Sequence, residues 1–382
     1  MLTQEARTEL EKQQYRVVGD HSAVKVCGWT KNMIKGEGGC YKLKFYGIMS
    51  HQCMQMTTSI SCANRCTFCW RGYKAPVSKE WKWETDDPEM IHEGALKAHH
   101  KLLVGFKGSK TANQNVYEKS KKVKHVALSL TGEPIFYPKM NESIRLFNRD
   151  GISTFLVTNG QYPQQINDLE PITQLYISID APTQQLLKDV DVPLFTDYWE
   201  RLNLSLDYLA KKKERTCVRL TIIKSINDVF VEKYADLIHR GDSDFIEVKA
   251  YMHVGQSQLR LKRENMPLHE EVVIFSKKLA EHLPGYEIVS EHISSRVVMF
   301  AKKQFKQDGV WKTWIDFPKW DQLMKSGEEF NSMSYCVRTP QTGLSGKGTI
   351  DNAPAHVQER LRKEHPLFVS EETEELSFYV EE

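Results

Sequence analysis

The sequence predicts an α/β fold, a partial (β/α)6 TIM-like barrel with an extension at each end. Short apolar segments predict strands near residues 54–60, 125–130, 153–157, 174–179, 216–223, 244–250 and 286–290. Amphipathic segments predict helices near 139–149, 196–212, 229–239 and 269–282. Strands and helices that alternate in this way indicate parallel strands with crossover helices. Side chains that carry chemistry are then expected on loops at the carboxyl ends of the strands.

The chain of 382 residues is long enough for one large domain with additions. We predict an N-terminal extension over residues 1–53, the barrel over 54–300 and a C-terminal extension over 301–382. Residues 1–20 and 87–104 are predicted helices. The charged N-terminus argues against a signal peptide, and the sequence has no run of eighteen apolar residues. We therefore expect a cytoplasmic protein without a membrane segment.

Charge is distributed unevenly along the sequence. The formal net charge is +2, yet the last twelve residues hold six glutamates and no basic residue, and this acidic end is predicted to be disordered. Between Lys101 and Lys124 there are seven lysines and one glutamate. Such a segment suits a polyanion such as RNA, and it equally suits a plain solvated surface. We take Lys121 and Lys122 from it as candidate phosphate contacts.

Three cysteines, Cys62, Cys66 and Cys69, have the spacing C-x3-C-x2-C. Thiolates this close cannot all pair with one another as disulfides, but they can converge on one soft metal centre. Three ligands leave one iron of a four-iron cluster open to a substrate. A zinc knuckle or buried free thiols are the alternatives, and zinc would require a fourth Cys or His nearby, which the sequence lacks.

This spacing resembles the radical S-adenosylmethionine (SAM) superfamily, and Phe68 matches the aromatic residue usual before the last cysteine. The resemblance implies a radical SAM barrel whose open iron chelates SAM. The segment Thr131-Gly132-Glu133-Pro134 resembles the motif that contacts the SAM amino group, with Thr131 in place of the first glycine. Polar residues at predicted strand ends are often only caps or turn formers. Four of them complete the candidate SAM site: Asn159, Ser178, Asp180 and Lys249.

A second set of cysteines, Cys27, Cys40 and Cys53, has the spacing C-x12-C-x12-C. Three thiolates again suggest a cluster with one open iron. On spacing alone, structural thiols or a zinc site are the favoured explanation. The presence of the first cysteine set shifts the balance towards a second cluster.

The two cysteine sets, together with Cys40-Tyr41-Lys42 and the segment from Cys62 to Arg71, resemble the tRNA 4-demethylwyosine synthase family over about residues 20–320. Eukaryotic members carry a flavodoxin-like domain ahead of this part, and because none precedes it here we expect the archaeal type. The resemblance implies two [4Fe-4S] clusters, one for SAM on the first cysteine set and an auxiliary one on the second. It also implies pyruvate as co-substrate, with Lys42 as the proposed Schiff-base residue.

The implied activity is that of a carbon–carbon lyase of wybutosine biosynthesis. Two carbons of pyruvate join N1-methylguanosine at position 37 of tRNA(Phe) and close the tricyclic base 4-demethylwyosine. The electron that cleaves SAM comes from an external donor of the ferredoxin or flavodoxin type. We expect the enzyme to be a monomer.

The role of Lys42 can also be judged from its chemistry. A lysine attacks a carbonyl only as the free amine, and its ordinary pKa is about 10.4, so burial or a nearby cation is needed to lower it. Lys44 is the alternative, and if this stretch is extended it shares a face with Lys42. A solvated lysine pair is the plainer interpretation, and the adjacent Cys40 argues against it.

Aromatic and basic residues alternate in two further segments. Trp70-Arg71-Gly72-Tyr73-Lys74 follows the first cysteine set, and residues 310–317 follow the barrel. Such segments can face RNA and stack on its bases, whereas aromatic packing over the barrel is an equal alternative for the second. We take Arg71, Lys74 and Trp314 as candidate RNA contacts.

Two other functions remain compatible with the sequence. A different radical SAM enzyme, acting on a peptide or a small molecule, would bind no tRNA tightly. A non-enzymatic metal-binding RNA protein would hold zinc in place of iron. Analysis of iron and sulfide in anaerobically purified protein separates these possibilities, because two four-iron clusters contain about eight irons.

Overall fold

Ten strands form the central sheet of the protein. The computed structural model describes residues 2–72, 75–344 and 359. The strands are β1 (Arg16–Val18), β2 (Ser22–Lys25), β3 (Cys53–Thr57), β4 (His125–Leu128), β5 (Ser153–Thr158), β6 (Gln174–Ser178), β7 (Arg215–Ile222), β8 (Phe245–Ala250), β9 (Tyr286–His292) and β10 (Val297–Lys302). Their order is β1-β2-β3-β4-β5-β6-β7-β8-β10-β9, and β3 to β8 are parallel. Six parallel strands in sequential order confirm the predicted partial barrel.

Helices connect these strands and cover the sheet. In the described residues they are α1 (Gln4–Lys12), α2 (Gly28–Lys35), α3 (Tyr41–Tyr46), α4 (Pro88–Leu103), α5 (Gln114–Ser120), α6 (Met140–Arg149), α7 (Pro163–Asn167), α8 (Gln184–Asp191), α9 (Tyr198–Leu209), α10 (Val231–Gly241), α11 (His269–Glu281) and α12 (Phe317–Ser326). The predicted helices near 87–104, 139–149, 196–212, 229–239 and 269–282 correspond to α4, α6, α9, α10 and α11. None of the described helices has the length and apolar character needed to cross a bilayer.

Alternate side chains of the parallel strands face two different apolar clusters. In β5, Leu156 packs in the cluster beneath the outer helices. Its neighbour Phe155 lies in a second cluster, with Tyr176 of β6, Phe45 of α3 and Trp320 of α12. Because side chains alternate along a strand, both faces of this sheet are buried. The inner face is covered by parts of the N-terminal and C-terminal extensions.

The N-terminal segment differs from its prediction. Helix α1 ends at Lys12, and β1 and β2 form a hairpin that joins the sheet antiparallel to β3. Gln14 and Gly19 have φ angles of 67° and 59° and reverse the chain on either side of β1. Val18 and Val24 of the hairpin are buried in the main apolar cluster. The helix predicted over residues 1–20 is therefore wrong beyond α1.

The opposite edge of the sheet also differs from the prediction. The strand expected near 286–290 is β9, which pairs antiparallel with β10, and β10 pairs antiparallel with β8. Strand β10 was not predicted, and the predicted boundary at residue 300 falls inside it. The short connection between β9 and β10 leaves no room for a crossover helix, so a hairpin forms instead.

The C-terminal extension is attached to the barrel by Arg215 at the start of β7. Four short strands, β11 (Lys306–Gln307), β12 (Val310–Trp311), β13 (Trp314–Ile315) and β14 (Cys336–Val337), form two small sheets there. The fully buried Arg215 donates to Thr313 O at 2.7 Å and to Cys336 Sγ at 2.8 Å. Its guanidinium lies 4.4 Å from the ring centre of Phe245. The predicted disorder of the acidic end concerns residues outside those described.

Candidate active site

The loop after β3 carries the first cysteine set. Cys62 is buried, and Cys66 and Cys69 are half-buried. Burial raises the pKa of Cys62 to about 12 and that of Cys66 well above its ordinary value, and the neighbouring thiols of the set add to both shifts. The three thiols therefore lie near one another, and their ionisation requires a compensating positive charge such as a metal centre.

Two arginines hold this loop through its backbone carbonyls. The Arg71 guanidinium donates to Ile60 O at 2.9 Å and to Asn64 O at 3.0 Å. Arg260, in the segment after β8, donates to Thr67 O at 2.8 Å and also to Cys69 O. Arg71 therefore supports the loop, and its predicted contact with RNA stays a prediction.

The cysteine loop contacts the polar residues at the ends of β4 and β5. Asn159 donates from Nδ2 to Cys62 Sγ at 3.4 Å and from its backbone N–H to Glu133 Oε2 at 3.0 Å. Glu133 is buried, and its Oε1 has no hydrogen-bond partner among the described residues. Burial raises the pKa of Glu133 to about 7. This free carboxylate oxygen suits an amine donor from a ligand.

Gly132 brings the segment Thr131–Pro134 against the loop. Its φ is +67°, and a Cβ at this position would lie 2.1 Å from Ser59 O. The next residue, Glu133, donates its backbone N–H to Ser61 O at 2.8 Å. Only glycine allows this approach of two backbones, which explains why the glycine stands directly before Glu133.

Two buried aspartates lie on the other side of the cysteine loop. Burial raises the pKa of Asp180 to about 6, and Asp180 Oδ1 has no hydrogen-bond partner among the described residues. Asp191, at the end of α8, accepts from Asn64 Nδ2 at 3.2 Å and influences the Cys66 thiol. Ser178, at the end of β6, is half-buried. No local pattern pointed to Asp191, because it lies on a helix far along the chain from the cysteine loop.

The second cysteine set lies on the side of the sheet covered by α3. Cys27 and Cys40 are the residues directly before α2 and α3, and Cys53 is the first residue of β3. Burial raises the pKa of Cys40 and of Cys53 to about 12. Cys27 adds to both shifts, and Cys40 adds to that of Cys53. The Lys42 charge acts on both thiols in the opposite direction. The three thiols and Lys42 therefore form one group.

The donors of each set fit a four-iron cluster. Three soft thiols with no hard oxygen ligand are the usual donor set of such a cluster with one open iron. Within the described ranges, no three His, Cys, Asp or Glu side chains are arranged as ligands of a single metal ion.

Comparison with known proteins identifies the family. Residues 56–238 match the Radical SAM superfamily, and residues 240–302 match the family described as wyosine base formation. A solved structure of TYW1 with a lysine-pyruvate adduct bound is 38% identical, with a TM-score of 0.72 over 80% of this chain and 97% of that one. The crystal structure of archaeal TYW1 is 34% identical, with a TM-score of 0.66 over 81% and 99% of the two chains.

This chain belongs to the TYW1 family.

Among curated TYW1 proteins, the S-adenosyl-L-methionine-dependent tRNA 4-demethylwyosine synthase of Xenopus laevis is 46% identical over 353 residues. The match covers 91% of this chain and 48% of that protein. The chain thus spans about half the length of the curated relatives it matches. The expectation of the archaeal type stays a prediction.

Lys42, the residue that carries the TYW1 resemblance at the second cysteine set, points into the barrel. It is 9% exposed, and its Nζ lies 4.6 Å from the ring centre of Tyr176 and 5.8 Å from that of Phe155. Lys42 and Lys44 lie on a helix, so they point in different directions. The shared face was expected only for an extended stretch, and this condition is not met.

Lys44 instead lines a cavity of about 380 Å³ with Cys40, His292 and Trp314. Burial lowers the pKa of Lys44. The indole N–H of Trp314 donates to Lys44 O at 2.9 Å, and a Cβ on Gly47 would lie 2.9 Å from its ring. Trp314, a predicted RNA contact, is thus half-buried beside the second cysteine set, and its contact with RNA stays a prediction.

A buried carboxylate on β8 anchors the helix that carries Lys42. Tyr41 and Tyr46 donate to the two oxygens of Glu247, each at 3.0 Å. Arg219 of β7 lies close enough to influence the ionisation of Tyr41. Sequence reasoning missed Glu247, although a lone glutamate within Phe245–Val248 of an apolar strand is a signal for a buried polar role.

The remaining predicted residues lie in different surroundings. Lys249 donates to Ser295 O at 2.9 Å, and burial lowers its pKa to about 8. Its amine lies 6.0 Å from the ring of Tyr41, so it is placed beside α3, and its assignment to SAM stays a prediction. Lys121 and Lys122 are exposed, whereas Lys74 is outside the described residues.

Proposed function

We propose that this chain is a radical SAM enzyme of wybutosine biosynthesis. It joins two carbons of pyruvate to N1-methylguanosine at position 37 of tRNA(Phe) and forms 4-demethylwyosine. Membership of the TYW1 family and the group formed by Lys42 and the second cysteine set support this reaction. Residues 1–53, 54–300 and 301–382 would supply the auxiliary site, the barrel and the C-terminal extension.

Two [4Fe-4S] clusters and SAM are the proposed cofactors. The first cysteine set would hold the cluster that binds SAM, and the second would hold the auxiliary cluster. When bound, these groups supply the one-electron chemistry that breaks an unactivated C–H bond. The protein supplies position and excludes water around them. An external electron donor of the ferredoxin or flavodoxin type, a monomeric state and a cytoplasmic location belong to the same proposal.

Glu133 is the proposed partner of the SAM amino group. Its Oε2 is held by the Asn159 backbone, which leaves the buried Oε1 directed at the ligand. Binding a cationic amine next to this oxygen offsets the cost of burying the carboxylate charge. Thr131, Gly132 and Pro134 fix the backbone around Glu133, and four strand-end residues complete the proposed SAM site: Asn159, Ser178, Asp180 and Lys249.

Lys42 is the proposed residue that binds pyruvate covalently. Its amine attacks the ketone carbon of pyruvate, the ketone oxygen leaves as water, and a C=N bond replaces the C=O bond. The amine must be neutral to attack. Lys42 is 9% exposed, and the rings of Tyr176 and Phe155 line its Nζ. Among the described residues, no carboxylate lies within ion-pairing distance of Lys42 Nζ. The adduct named for the related TYW1 structure is consistent with this role.

The position of Lys42 next to Cys40 and Cys53 is the observation that carries the proposal, because it brings an amine to an open-iron site. The test uses anaerobically reconstituted protein with SAM, pyruvate, a reductant and tRNA(Phe) that contains N1-methylguanosine 37. Mass spectrometry of the digested tRNA should show 4-demethylwyosine with wild-type protein and none with Cys66→Ala. If the wild-type protein cleaves SAM but leaves the tRNA unchanged, a peptide or small-molecule substrate takes its place.

A further inference from the structure

The segment that follows β8 presents apolar side chains to solvent beside the cysteine loop. Leu259 is 79% exposed, Val254 is 44% exposed, and Trp70 of the cysteine loop is 39% exposed. Burying a side chain such as Leu typically gains about 1.5–3 kcal/mol, so exposed apolar groups gathered at one place indicate a contact surface.

This segment is held rigidly against the cysteine loop. The backbone N–H of Gln256 donates to Trp70 O at 2.9 Å, and Arg260 donates to Thr67 O at 2.8 Å. Gly255 has a φ of +60°, and a Cβ there would lie 2.6 Å from Trp70 O. Ser257, which is fully buried, accepts from Tyr251. Leu259 is therefore exposed on a segment that is hydrogen-bonded to the cysteine loop.

Basic side chains are exposed on the same two segments as these apolar side chains. Arg65, Lys262 and Arg263 are exposed on the cysteine loop and at the end of the segment. Glu264 lies 3.5 Å from Lys262, and both are largely exposed, so this pair is weak. Exposed apolar and basic side chains on the same surface suit single-stranded RNA, which offers base faces and phosphates together.

We propose that Leu259, Val254 and Trp70 form a docking surface for unpaired nucleobases of the RNA substrate, with Arg65 and Arg263 contacting its phosphates. An enzyme that modifies a base must take it out of its stack, and an apolar side chain can occupy the gap that the base leaves. Leu259 lies beside the loop that would hold the reactive centre, and so is placed for this role. The inference rests on the proposed function, because it names the surface that receives its tRNA.

The test compares Leu259→Ser with Leu204→Ser, since Leu204 is also exposed, at 41%, but lies on α9. The Kd for tRNA(Phe) is measured by fluorescence anisotropy at several salt concentrations. Loss of one base contact should raise the Kd of Leu259→Ser about 10-fold without changing the salt slope. Leu259→Phe keeps an apolar side chain and should retain wild-type binding. Arg263→Glu should reduce the salt slope by about one. Leu204→Ser should bind as the wild type does.

SAM cleavage without tRNA separates this surface from a docking site for the electron donor. With dithionite as reductant, Leu259→Ser should cleave SAM at the wild-type rate. If Leu259→Ser binds tRNA normally but loses SAM cleavage only with a flavodoxin, the surface receives the donor and the RNA assignment is wrong. If wild-type protein binds tRNA through Leu259 yet forms no tricyclic base, the proposed reaction fails while the docking surface stands.

Discussion

Tyr41 and Glu247 are 206 residues apart in the sequence, and their side chains share a buried hydrogen bond of 3.0 Å. The other carboxylate oxygen of Glu247 accepts from Tyr46 at the same distance. Both tyrosines belong to α3, the short helix that contains Lys42 and follows Cys40. A single side chain of β8 therefore fixes the orientation of a proposed cluster ligand and of the proposed imine-forming lysine.

Glu247→Gln should lower the free energy of unfolding by roughly 2–4 kcal/mol, because one buried tyrosine hydroxyl loses its acceptor and the neighbouring Arg219 loses a counter-charge. Urea denaturation of the reconstituted protein measures the change. Glu287→Gln removes an exposed ion pair with Lys306 and should cost less than about 1 kcal/mol. Equal effects of the two substitutions would show that Glu247 does not anchor α3.

The two cysteine sets should lose metal independently. Cys62→Ala should abolish SAM cleavage and retain about four irons on the second set. Cys40→Ala should retain about four irons on the first set and some uncoupled SAM cleavage, while pyruvate binding is lost. Iron and sulfide analysis, with electron paramagnetic resonance of the reduced protein, provides the measurement. Complete loss of iron in either variant would contradict the presence of two separate sites.

Lys42→Arg separates covalent from electrostatic binding of pyruvate. Arginine keeps the positive charge but cannot deprotonate to form an imine. The variant should still cleave SAM and make no tricyclic base, and borohydride with labelled pyruvate should tag the wild-type protein alone. Lys44→Arg is the matched control, because Lys44 lies on the same helix and faces the cavity at Trp314. If Lys44→Arg were inactive and Lys42→Arg active, Lys44 would be the imine-forming residue.

Binding of SAM should depend on the ionisation of Glu133, whose pKa is raised from 4.5 to about 7 by burial. SAM affinity should fall as the pH decreases through about 7, because the protonated carboxyl no longer pairs with the amino group. The stability of the SAM-free protein should depend on pH in the opposite direction. The folded state binds a proton more tightly than the unfolded state, so stability falls by up to roughly 3 kcal/mol as the pH rises from about 4.5 through about 7.

Glu133→Gln should remove both pH dependences, whereas Glu142→Gln, an exposed change on α6, should keep them. Isothermal titration with SAM and urea denaturation at pH 6 and pH 8 measure the two effects. A wild-type SAM affinity that does not change between these pH values would exclude the proposed ion pair.

Charge reversal of Lys121 and Lys122 tests the lysine-rich surface. Lys121 already pairs with the exposed Glu118, with its amine 2.5 Å from the carboxylate, so most of the effect should come from Lys122. Binding of tRNA should weaken, and the salt slope should fall by about one for each lost phosphate contact. Lys233→Glu, which breaks a similar exposed pair on α10, is the control. An unchanged salt slope would show that this surface is only solvated and does not contact RNA phosphates.

The parallel strands could be predicted from the sequence because each is a short apolar run bounded by polar residues. The strand predicted near 153–157 is found at Ser153–Thr158, and that near 244–250 at Phe245–Ala250. Prediction from local sequence patterns failed where the chain reverses direction without the residues typical of a turn. Gln14 interrupts the predicted helix with a positive φ, and β10 follows β9 too closely for the expected crossover.

The candidate site divides in the same way. Cysteine spacing is a local property, so both sets could be found in the sequence, as could Glu133 beside its glycine. The roles of Arg71 and Glu247 depend on partners distant in the chain or on the direction of a side chain. Arg71 follows a cysteine motif rich in polar residues, and this pattern predicts a surface cation. Its guanidinium instead donates to backbone carbonyls of its own loop.

The contacts of Arg215 determine whether the barrel can be separated from the C-terminal extension. Its buried guanidinium has no carboxylate partner in the described ion pairs. It donates to Gln174 of β6 and to Thr313 and Cys336 of the C-terminal extension. A fragment that stopped before Thr313 would leave a cation facing Phe245 and Phe305, with the bonds to Thr313 and Cys336 lost and only the bond to Gln174 kept. We therefore expect the barrel and the extension up to β14 to unfold together, and a barrel expressed alone to be less stable.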